Sequence, residues 1–189
     1  MILLIAGLVL FLGIHSVSIF AEDFRNRMAA KSELGWKAVY ALISLAGIAL
    51  IAIGYGQVRL TPTFIYQLPY GFRHVTYLLM LPAFILFVAP YFPGKIKQIT
   101  KHPQLLGVKL WALAHLLVNG MLADIVLFGA ILLWAGIDRA SLKRRTPRPV
   151  PGAPVSKLND LIAVILGFAL TAAFIFYLHG KLIGIPLIS

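Results

Sequence analysis

The 189-residue chain contains no cysteine and only six acidic residues. Without thiols there is neither a disulfide framework nor a thiolate metal site, so any metal or cofactor has to be held by histidine. Charged residues make up 12% of the chain and hydrophobic residues 60%. A soluble domain of this size could not hide that much apolar surface, which makes the chain an integral membrane protein. Internal repeats and low-complexity tracts are also missing. The apolar start, Met1 to Ala21, lacks a basic leader and is longer than a signal-peptide core, so it reads as the first membrane helix. A net charge of +11 would suit a nucleic-acid partner in a soluble protein. Here the basic residues lie between apolar runs rather than on one face, so no nucleic-acid partner is expected.

Six apolar segments predict an all-α, polytopic transmembrane bundle forming a single domain over residues 1–189. They cover residues 2–21, 38–56, 75–92, 103–119, 121–137 and 161–179, each near the roughly 20 residues that cross about 30 Å of hydrocarbon. The fourth and fifth are short, and Asn119-Gly120 between them predicts a tight turn that makes the two helices an antiparallel hairpin.

Orientation follows from lysine and arginine. Thirteen lie after helices one, three and five: Arg25, Arg27, Lys31 and Lys37; Lys95, Lys97 and Lys101; then Arg139, Lys143, Arg144, Arg145, Arg148 and Lys157. Only Arg59, Arg73 and Lys181 lie in the other connections. The positive-inside rule then puts both termini outside. The basic, proline-rich connection from Asp138 to Asp160 cannot continue a helix and reads as a topogenic, lipid-facing loop. Gln57 to Arg73 mixes prolines with Phe64, Tyr66, Tyr70 and Phe72 and is expected to be an interfacial re-entrant or surface loop.

The stretch from Ile99 to Asp124, ITKHPQLLGVKLWALAHLLVNGMLAD, places ionisable groups where a bilayer makes them expensive, which marks a site. A rise of 1.5 Å per residue puts His15 about 20 Å along helix one and His115 about 18 Å along helix four. Because those helices enter from opposite sides, the two imidazoles are expected at similar depth. That is the condition for two axial ligands of one haem iron, although each histidine alone could simply bond helix to helix.

His102 opens helix four with proline at the first turn, whereas His74 and His179 fall at helix edges as interfacial anchors. Lys109, seven residues after His102, either snorkels to the surface or offers a cation to an anionic group such as a haem propionate. Asn119, one turn above His115, is expected on its face. Asp124 is read as either a hydrogen-bond acceptor for a ligand histidine or an acid favoured by the helix dipole. Trp111 and Trp134 are expected to pack, and Ser16 and Ser18 to bond back to their own helix.

The run TKHPQLLGVKLWALAHLLVNGMLADIVLFG, with GIHS and a basic loop near the start, resembles the NnrU family of bacterial membrane proteins over essentially the whole chain. That resemblance implies a multi-pass inner-membrane protein associated with denitrification and nitric oxide metabolism. The plant 15-cis-zeta-carotene isomerases share the domain and use a haem b held by histidines. The resemblance places the corresponding ligands on His15 of GIHS and His115 of WALAH, with nitric oxide or a polyene as the small molecule met by the iron. Ala112 stands where the plant enzymes have a cysteine, so redox switching through that thiol is not available. The rival expectation is a non-catalytic membrane factor supporting assembly or expression of nitrite and nitric oxide reductases. His102, Pro103 and Gly107 are also similar to a motif of membrane methyltransferases. Those enzymes carry paired glutamates near the C-terminus, whereas the two glutamates here, Glu22 and Glu33, lie near the N-terminus.

Overall fold

The computed structural model describes residues 1–188. It is all-helical, with 74% of residues in helices. The helices are α1 (Ile2–Phe20), α2 (Glu22–Lys31), α3 (Glu33–Val58), α4 (Phe72–Val88), α5 (Lys95–Thr100), α6 (Pro103–Leu116), α7 (Leu122–Ser141), α8 (Asn159–Ala173) and α9 (His179–Ile183). A 3₁₀ turn, Ala89–Tyr91, extends α4, and a π-turn, Phe174–Leu178, joins α8 to α9. Four stretches are long and apolar enough to cross a membrane: Ile2–Phe20, Glu33–Val58, Phe72–Tyr91 and Asn159–Ile183. Side chains such as Leu42 and Leu45 are 67% and 62% exposed, an arrangement suited to hydrocarbon rather than water.

All six expected apolar segments are helical, but they are not six equal spans. α6 has 14 residues, about 21 Å of helix, and so falls short of the hydrocarbon thickness. α7 is longer than expected at 20 residues. It is set apart from the four spans by its charges, Asp124, Asp138 and Arg139.

The chain forms two compact units, residues 1–68 with 119–147, and residues 69–118 with 148–189. In the first, α1 and α3 run antiparallel at close range through glycines. A Cβ on Gly7 would meet the Ile51 nitrogen at 2.6 Å, and one on Gly54 would meet the Leu4 nitrogen at 2.3 Å. Small residues let backbones approach in this way where no hydrophobic drive pulls helices together in lipid. α7 runs parallel to α1, since Trp134 donates its indole N–H to Ser16 and, further along both, the Thr146 N–H donates to Glu22. The ends of α1 and α7 and the start of α3 therefore share one end of this unit. That end gathers Arg25, Arg27, Lys31, Lys37, Arg139, Lys143, Arg144 and Arg145, with Arg59 at the other end.

In the second unit α4 is flanked by α6 and α8. A Cβ on Gly107 would lie 3.0 Å from the Ala83 carbonyl, and one on Gly167 would lie 2.5 Å from Ile85. The buried Thr76 hydroxyl lies 3.1 Å from both the Phe72 and Ala114 carbonyls. At the basic end, the Asp160 carboxylate accepts the Lys95 and Ile96 N–H groups at 2.8 and 3.0 Å, capping α5, while Asn159 donates to the Pro93 carbonyl.

The expected hairpin of helices four and five is corrected. α6 packs on α4 in the second unit and α7 on α1 in the first. The connection is not a tight helical turn because Asn119 to Leu122 is drawn out beside Thr63 to Tyr66. The Gly120 carbonyl accepts the Ile65 N–H at 2.8 Å, Leu122 N–H donates to Thr63, and Phe64 bridges Met121.

Candidate functional site

His15 lies on the second turn from the end of α1, half-buried in the first unit. Its Nδ1 is 2.6 Å from the Phe11 carbonyl one turn earlier. A carbonyl only accepts, so the proton sits on Nδ1 and the lone pair on Nε2, the tautomer that a metal-ligating imidazole uses. Three aromatic rings surround the imidazole: Phe11 at 4.2 Å, Tyr40 of α3 at 4.9 Å and Trp134 of α7 at 5.8 Å between ring centroids. Trp134 is in turn oriented by its 3.2 Å hydrogen bond to Ser16, so the Ser16 hydroxyl serves a neighbouring helix, where a bond back to its own helix was expected.

His115 lies near the end of α6 in the second unit and repeats the arrangement. Its Nδ1 is 2.8 Å from the Trp111 carbonyl, which fixes the same tautomer, and its ring lies 4.9 Å from that of Trp111. The two histidines singled out in the sequence thus share one local geometry, each on its own unit. His179 also bonds a carbonyl through Nδ1, that of Ile185 at 2.7 Å. His74 packs its ring edge-on to Tyr70 at 6.4 Å. Among the described residues no three His, Asp or Glu side chains cluster as a metal site.

The remaining sequence candidates separate. His102 is the residue before α6, with Pro103 opening the helix as expected. Lys109 is half-buried on α6. The position expected for Asn119 is corrected, because α6 stops at Leu116 and Asn119 lies beyond it. There the Asn119 carbonyl accepts the Tyr66 hydroxyl at 3.1 Å. Burial, and then the nearby Asp124 charge, push the Tyr66 phenol up and keep it a donor.

Asp124 has no exposed surface. One oxygen accepts the Tyr55 hydroxyl at 2.5 Å and the other the Met121 N–H at 2.9 Å. It thereby caps α7 and ties that helix to the far end of α3. Sequence reasoning missed Tyr55, Tyr40 and Phe11. The last two could have been found, since Phe11 is one turn before His15 and an aromatic opposite an intramembrane histidine is a natural partner. Tyr55 carries no such local signal.

At the basic end of the first unit Asp138 pairs with Arg145, both side chains about nine-tenths buried. Asp138 also accepts the Ser141 hydroxyl through its main-chain carbonyl at 2.7 Å. Between α5 and α6, Lys101 takes φ 59° and ψ −44°, and the His102 N–H reaches the Thr100 carbonyl at 2.6 Å. This is a γ-turn of the strained, positive-φ kind.

No curated protein and no solved structure gives a match to the chain. The family model described as NnrU protein does, over residues 3–187, and with the match spanning nearly all of the sequence the chain belongs to the NnrU family.

Proposed function

We propose that the chain is a haem-b-binding protein of the bacterial inner membrane, acting in nitrogen-oxide metabolism, with His15 and His115 as the iron ligands. The observation that carries this reading is the shared local geometry. Both imidazoles donate an Nδ1 hydrogen bond to the carbonyl one turn earlier, which fixes the tautomer that a metal-ligating imidazole uses. The backbone bond fixes each ring's tautomer, and the aromatic neighbours of His15 limit its rotation. Haem b, when bound, would supply an iron whose potential and small-ligand chemistry depend on the histidine nitrogens that hold it, suited to nitric oxide or a polyene. Lys109 offers the cation for an anionic propionate, and Asp124 holds α3 to α7. In this reading all six apolar helices lie in the membrane, the termini are outside and the basic ends of both units are cytoplasmic.

The test is the absorption spectrum, oxidised and dithionite-reduced, of protein purified from haem-replete membranes, beside His15→Ala and His115→Ala. Reducible haem in wild type, with bands lost or shifted in both variants, supports the reading. Wild type without a Soret band overturns it. A second reading, a non-catalytic factor for assembly or expression of the denitrification reductases, is favoured by the ring packing around His15, which is how a histidine serving only structure would sit. It predicts colourless protein that copurifies with a reductase.

A further inference from the structure

The basic end of the first unit carries more charge than its fold uses. The acids there are largely engaged: Glu33 pairs with Lys37 at 2.7 Å, Asp138 pairs with Arg145, and Glu22 accepts the Thr146 N–H at 3.2 Å. That last bond pins the segment after α7 against the start of α2, so two stretches far apart in sequence form one surface. On it Arg27 and Lys31 of α2 and Lys143 and Arg144 beyond α7 are all exposed. Asp23 is the one acid of this end whose charge no hydrogen bond or ion pair engages among the described residues.

The same surface is bordered by apolar side chains. Phe20 at the end of α1 is 78% exposed, Phe24 of α2 is 46% exposed, and Leu34 at the start of α3 is 80% exposed. Phe24 meets Trp36 edge-on at 6.5 Å. α2 places Phe24 and the half-buried Met28 four residues apart on one face, amid Arg25, Arg27 and Lys31. A short helix with an apolar stripe, basic flanks and an aromatic neighbour lies in the plane of a membrane interface, at the level where Trp and Tyr rings settle.

We propose that this surface, made by α2 and residues 143–146, binds anionic phospholipid headgroups, with Arg27, Lys31, Lys143 and Arg144 as the phosphate-facing cations. The charge excess and the exposed apolar border fit one occupant that is both anionic and amphiphilic. A soluble anion would account for the lysines and arginines alone. A lipid accounts also for Phe20, Phe24 and Leu34. The assignment does not depend on a cofactor.

The experiment uses the full-length protein in detergent with equimolar phosphatidylglycerol and phosphatidylcholine, the retained lipids being counted by native mass spectrometry. Wild type should retain phosphatidylglycerol in preference. Arg27→Gln/Lys31→Gln/Lys143→Gln/Arg144→Gln should lower that preference on the order of tenfold or more, given the attraction of each basic group to an anionic surface. A control at the basic end of the second unit, Lys95→Gln/Lys157→Gln, should leave it intact. Raising ionic strength from about 0.1 to about 0.5 M should weaken the wild-type preference, a readout that needs no variant. If the fourfold variant does not fold, Lys143→Gln and Arg144→Gln are read singly, at up to about fivefold each. Equal retention of both lipids by wild type overturns the proposal. So does a control that falls as far as the fourfold variant, or a preference indifferent to salt.

Discussion

Asp124 supplies the sharpest energetic prediction, because its surroundings leave so few alternatives. The carboxylate is fully buried and both oxygens accept hydrogen bonds, from the Tyr55 hydroxyl and the Met121 N–H. Both oxygens are thus engaged, and the acceptor lies near the start of a helix, where the macrodipole favours a carboxylate. Hydrogen bonds to a charged group contribute about 1.5–3 kcal/mol. Interhelical bonds in membrane proteins reach only about 1.7 kcal/mol, since the unfolded chain in lipid also finds partners. The Tyr55–Asp124 coupling is therefore expected near about 1.5 kcal/mol, the top of that range. Asp124→Ala loses this bond and the cap on Met121, a cap being worth about 1 kcal/mol, and so should cost about 2–3 kcal/mol in all. Tyr55→Phe, Asp124→Ala and the double variant form a cycle, read by reversible unfolding in mixed micelles. Coupling below about 0.5 kcal/mol would refute the reasoning, since an average interhelical bond already gives about that much.

Two further outcomes follow from close contacts. Gly54→Ala places a methyl 2.3 Å from the Leu4 nitrogen. It should destabilise the α1/α3 pair by about 1–3 kcal/mol, as overpacking does, seen as a lowered melting midpoint, whereas Gly56→Ala, with open space at its Cβ, should not. Asp160→Ala removes the acceptor for two N–H groups of α5. It should speed amide hydrogen exchange at Lys95 and Ile96 while exchange in α8 beyond its first turn stays unchanged.

The helices were legible because lipid imposes one solution on an apolar chain. Every backbone group must be satisfied within its own segment, so runs such as Ile2–Phe20 and Asn159–Ala173 had to be helical. What could not be read was partner choice. Nothing in Asn119-Gly120 says that the Gly120 carbonyl will bond to Ile65 and Tyr66, fifty-odd residues earlier, yet those bonds draw the connection out and send α6 and α7 to different neighbours. A Cβ at Gly120 would lie 1.9 Å from the Tyr66 carbonyl, so the glycine serves a tertiary contact rather than a turn. The site divides in the same way. His15 and His115 stood out as costly polar groups in apolar helices, and the bond of each to the carbonyl one turn earlier is a local property that a helix confers. Tyr40 and Trp134 come to His15 from two other helices, through packing that composition does not encode. Charge was the most transferable signal. Residues counted by loop do gather at one end within each unit, because α1 and α7 run parallel and α4 is antiparallel to its neighbours.

Lys101 is the residue whose conformation the sequence least prepared for, and it can be tested directly. At φ 59° its Cβ crowds the backbone, a penalty glycine would not incur. Such residues typically cost about 1–3 kcal/mol and persist only where their surroundings hold them. Here the surroundings are visible. Lys101 N–H still bonds the Lys97 carbonyl to close α5, and His102 N–H immediately turns back to Thr100. Pro103 must then open α6 with its fixed φ, and the residue before a proline is barred from the helical region, so His102 cannot share the turn. The reversal of direction falls on the one residue between them. Lys101→Gly should relieve the strain and raise the unfolding midpoint by the equivalent of about 1 kcal/mol, while Lys101→Val, branched at Cβ, should lower it. If glycine is neutral or destabilising in the same micelles, the lysine side chain contributes more at that position than its backbone takes away.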